Sequence, residues 1–177
     1  MGVFTTRPVI YGRRGIVTAG HYLAAHAGMR MIEAGGNAID AGVAAGFALN
    51  VLEPHNCGIA GEAPMLIYHA RSGRLVALSG QGTAPAAMTV DWFRSRGIGL
   101  IPGDGLLPAT VPAAADAWIT ALDQFGTLPL ATVLAPVLEL AEEGFAVNGT
   151  LSRAIAASEQ RFRNEWPGSA DIFLLRR

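Results

Sequence analysis

The sequence predicts an α+β chain, rich in helices and poor in strands, whose helices carry more apolar surface than its own strands can cover. Three observations carry this. Hydrophobic residues make up 51% of the 177 residues and charged residues only 15%, which is too apolar and too weakly charged for a disordered chain. At most three short segments read as strands, whereas several longer ones show the broad apolar faces of packed helices. The longest apolar stretch, Ala38 to Leu52, is interrupted by Asp40 and Asn50 and falls short of the roughly 18–20 residues of a membrane span. A missing layer must therefore come from another subunit or from more of the same chain.

In chain order, Gly15-Ile16-Val17-Thr18-Ala19 reads as a short strand. His21 to Ala34 has helical spacing, with Leu23, Ala27 and Met31 on one stripe and Gly35-Gly36 as its stop. Asn37 then suits the N-cap of a second helix, and Asp40 in its first turn complements the helix dipole. That helix runs to about Leu52 or Glu53, stops before Pro54, and is apolar nearly all round, so it should be buried on most sides.

Pro54 to Glu62 forms a glycine-bearing turn. Pro64 to Ala70 and Leu75 to Leu78 read as two strands of a hairpin, joined at Arg71-Ser72-Gly73-Arg74. Thr89 can cap a short helix carrying Trp92 and Phe93, ended by Gly97. Pro112 suits the first turn of a helix reaching about Phe125, with Gly126 as its stop. Pro136 breaks the following apolar run and should start a new helix ending near Gly144. Thr150 to about Phe162 is the last helix, and Asp171 to Leu175 reads as the beginning of a further element.

Composition excludes several chemistries. All 13 cations are arginine, so these residues contain no P-loop lysine, no lysine for a pyridoxal Schiff base and no lysine nucleophile. A net charge of −1 predicts no nucleic-acid partner, which would call for a basic stripe. Met1 to Pro8 lacks an apolar core of the signal-peptide kind, which predicts a cytoplasmic chain. The single cysteine, Cys57, leaves the redox compartment open.

The reactive side chains fall mostly to ordinary readings. His55 and Cys57 are two residues apart in a turn, a spacing that rarely brings sulfur and imidazole together, so Cys57 is expected to be a small buried residue. His21 and His26, five apart, lie on different helix faces, and no cluster completes a zinc site; no metal is expected. Gly58-Ile59-Ala60-Gly61 could cradle a phosphate, but it precedes a strand rather than a helix, the wrong order for a dinucleotide site. Glu139, Glu142 and Glu143 read as a solvated helix face, and His69 as exposed beside the hairpin turn. Asn148-Gly149-Thr150 matches a glycosylation acceptor without a secretory signal to support it. Gln81 stands apart. It lies between Gly80 and Gly82 straight after a strand, where binding residues collect and where glycine lets a backbone approach a ligand. A turn role and a binding role are both open for it, and the residues by themselves favour the turn.

Taken in order, Gly15-Ile16-Val17-Thr18-Ala19, Ala34-Gly35-Gly36-Asn37-Ala38-Ile39-Asp40-Ala41, Val51-Leu52-Glu53-Pro54-His55, Gly58-Ile59-Ala60-Gly61, Met65-Leu66-Ile67-Tyr68, Thr83-Ala84-Pro85 and Leu138 to Phe145 resemble the gamma-glutamyltransferase family. The resemblance implies an incomplete αββα sandwich of the N-terminal-nucleophile hydrolase class, with residues 1–177 as the N-terminal portion of one domain. Such enzymes are proenzymes that cut themselves in two. The new N-terminal threonine of the small subunit attacks an amide, with its own α-amino group as base.

No stretch here resembles that nucleophile region. The resemblance therefore implies no catalytic residue in this chain, no activity by itself, no metal or organic cofactor, and a small-subunit portion of the same proenzyme as partner, acting on a small-molecule amide. The run Phe173 to Arg177 breaks off where the family pattern continues, which favours truncation. One departure concerns substrate. Where typical members carry an arginine that grips the α-carboxylate of a γ-glutamyl group, this sequence has Gln81, the one substrate-binding residue the resemblance indicates here. Exchanging a charged fork for a neutral amide should weaken carboxylate binding by about 1.5–3 kcal/mol. Glu62 and Pro64 also replace the glycine and aromatic of the commoner turn. A non-catalytic helical protein that buries its apolar faces on a partner is the alternative reading.

Overall fold

The computed structural model describes residues 9–174. The expectations resting on Met1 to Pro8 and on Leu175 to Arg177 lie outside them. Helices α1 (Tyr22–Glu33) and α2 (Ala38–Leu52) come first, then a hairpin of β1 (Met65–His69) and β2 (Arg74–Leu78). Helices α3 (Val90–Arg94), α4 (Ala114–Phe125), α5 (Leu130–Glu143), α6 (Gly149–Asn164) and α7 (Pro167–Phe173) follow. The α+β class stands, with helices dominating a single two-stranded antiparallel sheet among the described residues.

The apolar helix α2 is the centre, packed by α1, α4 and α5. Its alanines explain the close approach: Ala41, Ala44, Ala45 and Ala48 are buried, and neighbouring backbones come near where side chains are small. Gly46 shows the same need, since a Cβ there would sit 2.9 Å from the Trp118 ring, which packs edge-on against Phe47. One core cluster joins Met31, Val43, Ala44, Ile67, Leu122 and Val133, tying α1, α2, β1, α4 and α5 together.

The start of α2 is built as the sequence indicates, and more firmly. Asn37 accepts from the amides of Ile39 and Asp40, while Asp40 accepts from the amide of Asn37, a reciprocal capping box. Asn37 also donates its side-chain amide to the carbonyl of Phe125 at 2.6 Å, pinning the end of α4. Replacing Asn37 by alanine is expected to cost about 1–2 kcal/mol in urea denaturation, because cap and tether are lost together.

Four sequence expectations need correcting. Gly15 to Ala19 forms no strand: among the described residues no ladder partner reaches it, although Val17 packs on the core beside Gly28. Pro136 does not start a helix but lies inside α5, buried. A proline breaks a helix only if tertiary contacts fail to hold the turn, and here α5 packs on α2 across it. Pro112 stands outside α4, which begins at Ala114. Asp171 begins nothing new; it lies within α7, whose first residue is Pro167.

The hairpin has two unlike faces. With Met65 paired to Leu78 and Ile67 to Val76, one face packs on the core. The other carries Leu66, Tyr68 and Leu75, which are 75%, 67% and 68% exposed. That bare apolar face is the uncovered surface expected of a chain lacking a layer.

Candidate functional site

Gln81 sits where β2 ends, and its position follows from backbone packing. Gly80 has φ +54, and a Cβ there would lie 2.1 Å from the carbonyl oxygen of Ala63. The amide of Ala63 donates to the carbonyl of Gly80 at 2.7 Å. A Cβ at Gly82 would fall 1.6 Å from the carbonyl oxygen of Val111, whose amide donates to Thr83 at 2.9 Å. The loop is thus clamped between two other backbone segments. The two glycines are explained by protein approaching protein, not by a ligand approaching the loop.

The Gly58 to Gly61 turn leads into the Ala63 side of this clamp. Its carbonyls face outward to the start of α4: Gly61 accepts from Ala113 and Ala114, and Ile59 from Ala115. No side chain caps α4, so these carbonyls satisfy its orphan amides. This glycine run thus serves the start of α4, which accounts for its carbonyls without a ligand.

The clamp brings Gln81 to Glu62. The Gln81 Nε2 donates to Glu62 Oε2 at 3.1 Å, and both side chains are exposed. Below them the buried Ala63, Ala114 and Ala117 form a small cluster with Met65 and Trp118. The sequence singled out Gln81 and noted Glu62 but did not bring them together. The signal was present, since carrying the Met65–Leu78 register three positions outward sets Glu62 opposite Gln81.

The other reactive residues do not converge. Cys57 is half-buried rather than buried, its amide held by the Glu53 carbonyl. Burial, with the Glu53 carboxylate adding to it, pushes its thiol up, away from the thiolate a nucleophile needs. His55 is exposed and lies 3.2 Å from the side-chain amide of Asn56, not against sulfur. His21 is a buried N-cap, its Nδ1 accepting from the amide of Leu23. His69 is half-buried in the hairpin turn, 2.7 Å from the Ser72 hydroxyl.

Glu139 is not merely solvated, because it takes a bidentate pair from Arg30 that joins α5 to α1. The hydrogen bond to Arg30 holds its carboxyl below the usual range. Asn148 spends its side-chain oxygen capping α6. Among the described residues no three His, Cys, Asp or Glu side chains gather to hold a metal, and no helix is long and apolar enough to cross a membrane.

Comparison with known proteins fits this architecture. The sequence model of the family described as gamma-glutamyltranspeptidase matches residues 24–177. The chain is 41% identical over 174 residues to the acylase ACY 1 proenzyme of a Pseudomonas species (strain V22), covering 92% of this chain and 30% of that protein. Among solved structures, LmbA2991HD superposes with a TM-score of 0.91 at 44% identity, over 97% of this chain and 29% of the other. The gamma-glutamyltranspeptidase of Helicobacter pylori superposes with a TM-score of 0.80 at 33% identity, over 88% of this chain and 45% of the other. The chain therefore spans less than a third of the length of the curated relatives it matches. Its fold is that of an incomplete αββα sandwich of the N-terminal-nucleophile hydrolases, rich in helices with one two-stranded sheet among the described residues.

Proposed function

Because the chain belongs to the gamma-glutamyltranspeptidase family, we propose that it serves as the N-terminal part of an amide-cleaving acyltransferase or hydrolase. In this reading it supplies one outer layer, part of an inner sheet and one wall of the acyl pocket, with Gln81 as its contact to substrate. A threonine from the remaining part of the proenzyme attacks the amide carbonyl, its own amine taking the proton, and backbone donors stabilise the oxyanion. The acyl group passes to water or to an amine. The observation carrying the reading is that family likeness extends over nearly all of this chain but only 30% of the related acylase. The bare face of Leu66, Tyr68 and Leu75 adds to it, as a surface for the rest of the sandwich.

These 177 residues by themselves are then inactive. Incubated with γ-glutamyl-p-nitroanilide, they should release no p-nitroaniline, and clear turnover would refute a nucleophile supplied from elsewhere. Joined to a remaining portion bearing the threonine, the same residues should cleave a small amide. Whether that amide is a γ-glutamyl one, as in the relatives named glutathione hydrolases, or another, as in the acylases, turns on the corner around Gln81.

A further inference from the structure

We propose that Glu62 sets the charge preference of the corner at Gln81, so that it admits a neutral or cationic group on the acyl half of the substrate and rejects a carboxylate. The inference rests on the reading of Gln81 as part of the acyl pocket, and it names the class of substrate. Three observations carry it. Gln81 already donates from Nε2 to Glu62 Oε2, so one of the two N–H groups that would replace a charged fork is committed to an acid of the chain itself. Among the described residues, the ion pairs that arginines form involve Glu139, Asp104, Glu165 and Glu159, so none neutralises Glu62.

The third observation is rigidity. Gly80 lies against Ala63 and Gly82 against Val111, so the backbone carrying Gln81 cannot swing away from that carrying Glu62 without breaking backbone contacts. What this corner offers a ligand is the oxygen and the second N–H of Gln81, both oxygens of Glu62 and one negative charge. Such a set accepts hydrogen bonds and attracts an ammonium group or an amide nitrogen. A carboxylate placed there meets repulsion from Glu62 and finds a single neutral N–H in place of a charged, two-pronged donor. Reversing the charge of a group within about 4 Å of an exposed carboxylate changes affinity roughly tenfold at modest ionic strength.

The experiment uses the 177-residue chain labelled with nitrogen-15 and two probes of equal length. Both end in a carboxamide; 4-aminobutanamide carries an ammonium at the other end and 4-carbamoylbutanoate a carboxylate. The ammonium probe should shift the Gln81 side-chain resonances at about one-tenth the concentration the carboxylate needs. Glu62→Gln should bring the two probes level, and Glu62→Arg should reverse their order while the remaining resonances stay in place. Equal or inverted response in the unmodified chain, no shift from either probe, or a preference that survives Glu62→Gln would each overturn the proposal. In the completed enzyme, amide cleavage without a charge preference would sink this inference and leave the proposed function standing. A preference in binding without any cleavage would do the opposite.

Discussion

Replacing Asp40 by alanine is expected to cost the fold about 3–5 kcal/mol, because four hydrogen bonds end on its carboxylate. Asp40 is completely buried, at 0% exposure, in the first turn of α2. One oxygen accepts from the amides of Thr127 and Leu128 at 2.9 and 3.1 Å. The other accepts from the Thr127 hydroxyl and from the amide of Asn37, both at 2.7 Å. The carboxylate therefore joins the start of α2 to the turn between α4 and α5. Truncation leaves donors on three residues without their acceptor at once and removes half of the capping box. Urea denaturation of Asp40→Ala beside the unmodified chain measures the loss. A change below about 1 kcal/mol would show that the turn finds other partners.

The same carboxylate gives the fold a pH dependence with a definite sign. Burial pushes the Asp40 carboxyl up, but the Thr127 hydroxyl and the amides of Asn37, Leu128 and Thr127 outweigh it, and the net displacement is downward. A carboxyl held below its unfolded value adds stability that is fully present above the unfolded value and is lost as pH falls through the folded one. Thermal melts should therefore show a steep loss as pH drops below about 4, the ordinary aspartate range. Asp40→Asn should be weaker at neutral pH and flatter in acid. An equal acid slope in both proteins would assign the dependence to other carboxylates.

Asp40 also shows what could be read from the sequence and what could not. Its place in the first turn and the cap at Asn37 were legible, because both depend on residues within one turn of helix. Its bonds to Thr127 and Leu128 were not, because they span 87 and 88 residues, and local chemistry carries no record of such a contact. The buried Pro136 is misread for the same reason, since the packing of α5 on α2 outweighs a local breaker. Gly15 to Ala19 has the composition of a strand, but a strand is defined by its neighbour, and none of the described residues pairs with it. At the candidate site the outcome is mixed. The glycine brackets of Gln81 are explained by backbone packing rather than by a ligand, and its pairing with Glu62 needed the hairpin register to be carried past the strand ends.

Gly82→Ala is the second change with a large expected effect, and it separates the two explanations of the glycine brackets. If glycine were there to let a ligand approach, a methyl group would alter binding and leave the free protein intact. The packing argues otherwise. A Cβ at this position would stand 1.6 Å from the Val111 carbonyl oxygen and 3.1 Å from the Thr110 hydroxyl oxygen. The nearer atom belongs to a backbone that is itself fixed, because the Val111 amide donates to the Thr83 carbonyl across the same gap. No rotamer change relieves such a clash, so the loop or the segment before α4 must move. Overpacking of this kind costs about 1–3 kcal/mol, and a clash against backbone belongs at or above the upper end. The melting temperature should fall by several degrees for a domain of this size. The Gln81 side-chain resonances should shift with no ligand present, since Gln81 hangs from the displaced loop. Gly42→Ala in α2 is the control: a Cβ there meets nothing within 4 Å, and alanine is the better helix former, so stability should hold or rise slightly. A Gly82→Ala protein that melts like the control, with Gln81 unmoved, would return the glycines to the ligand.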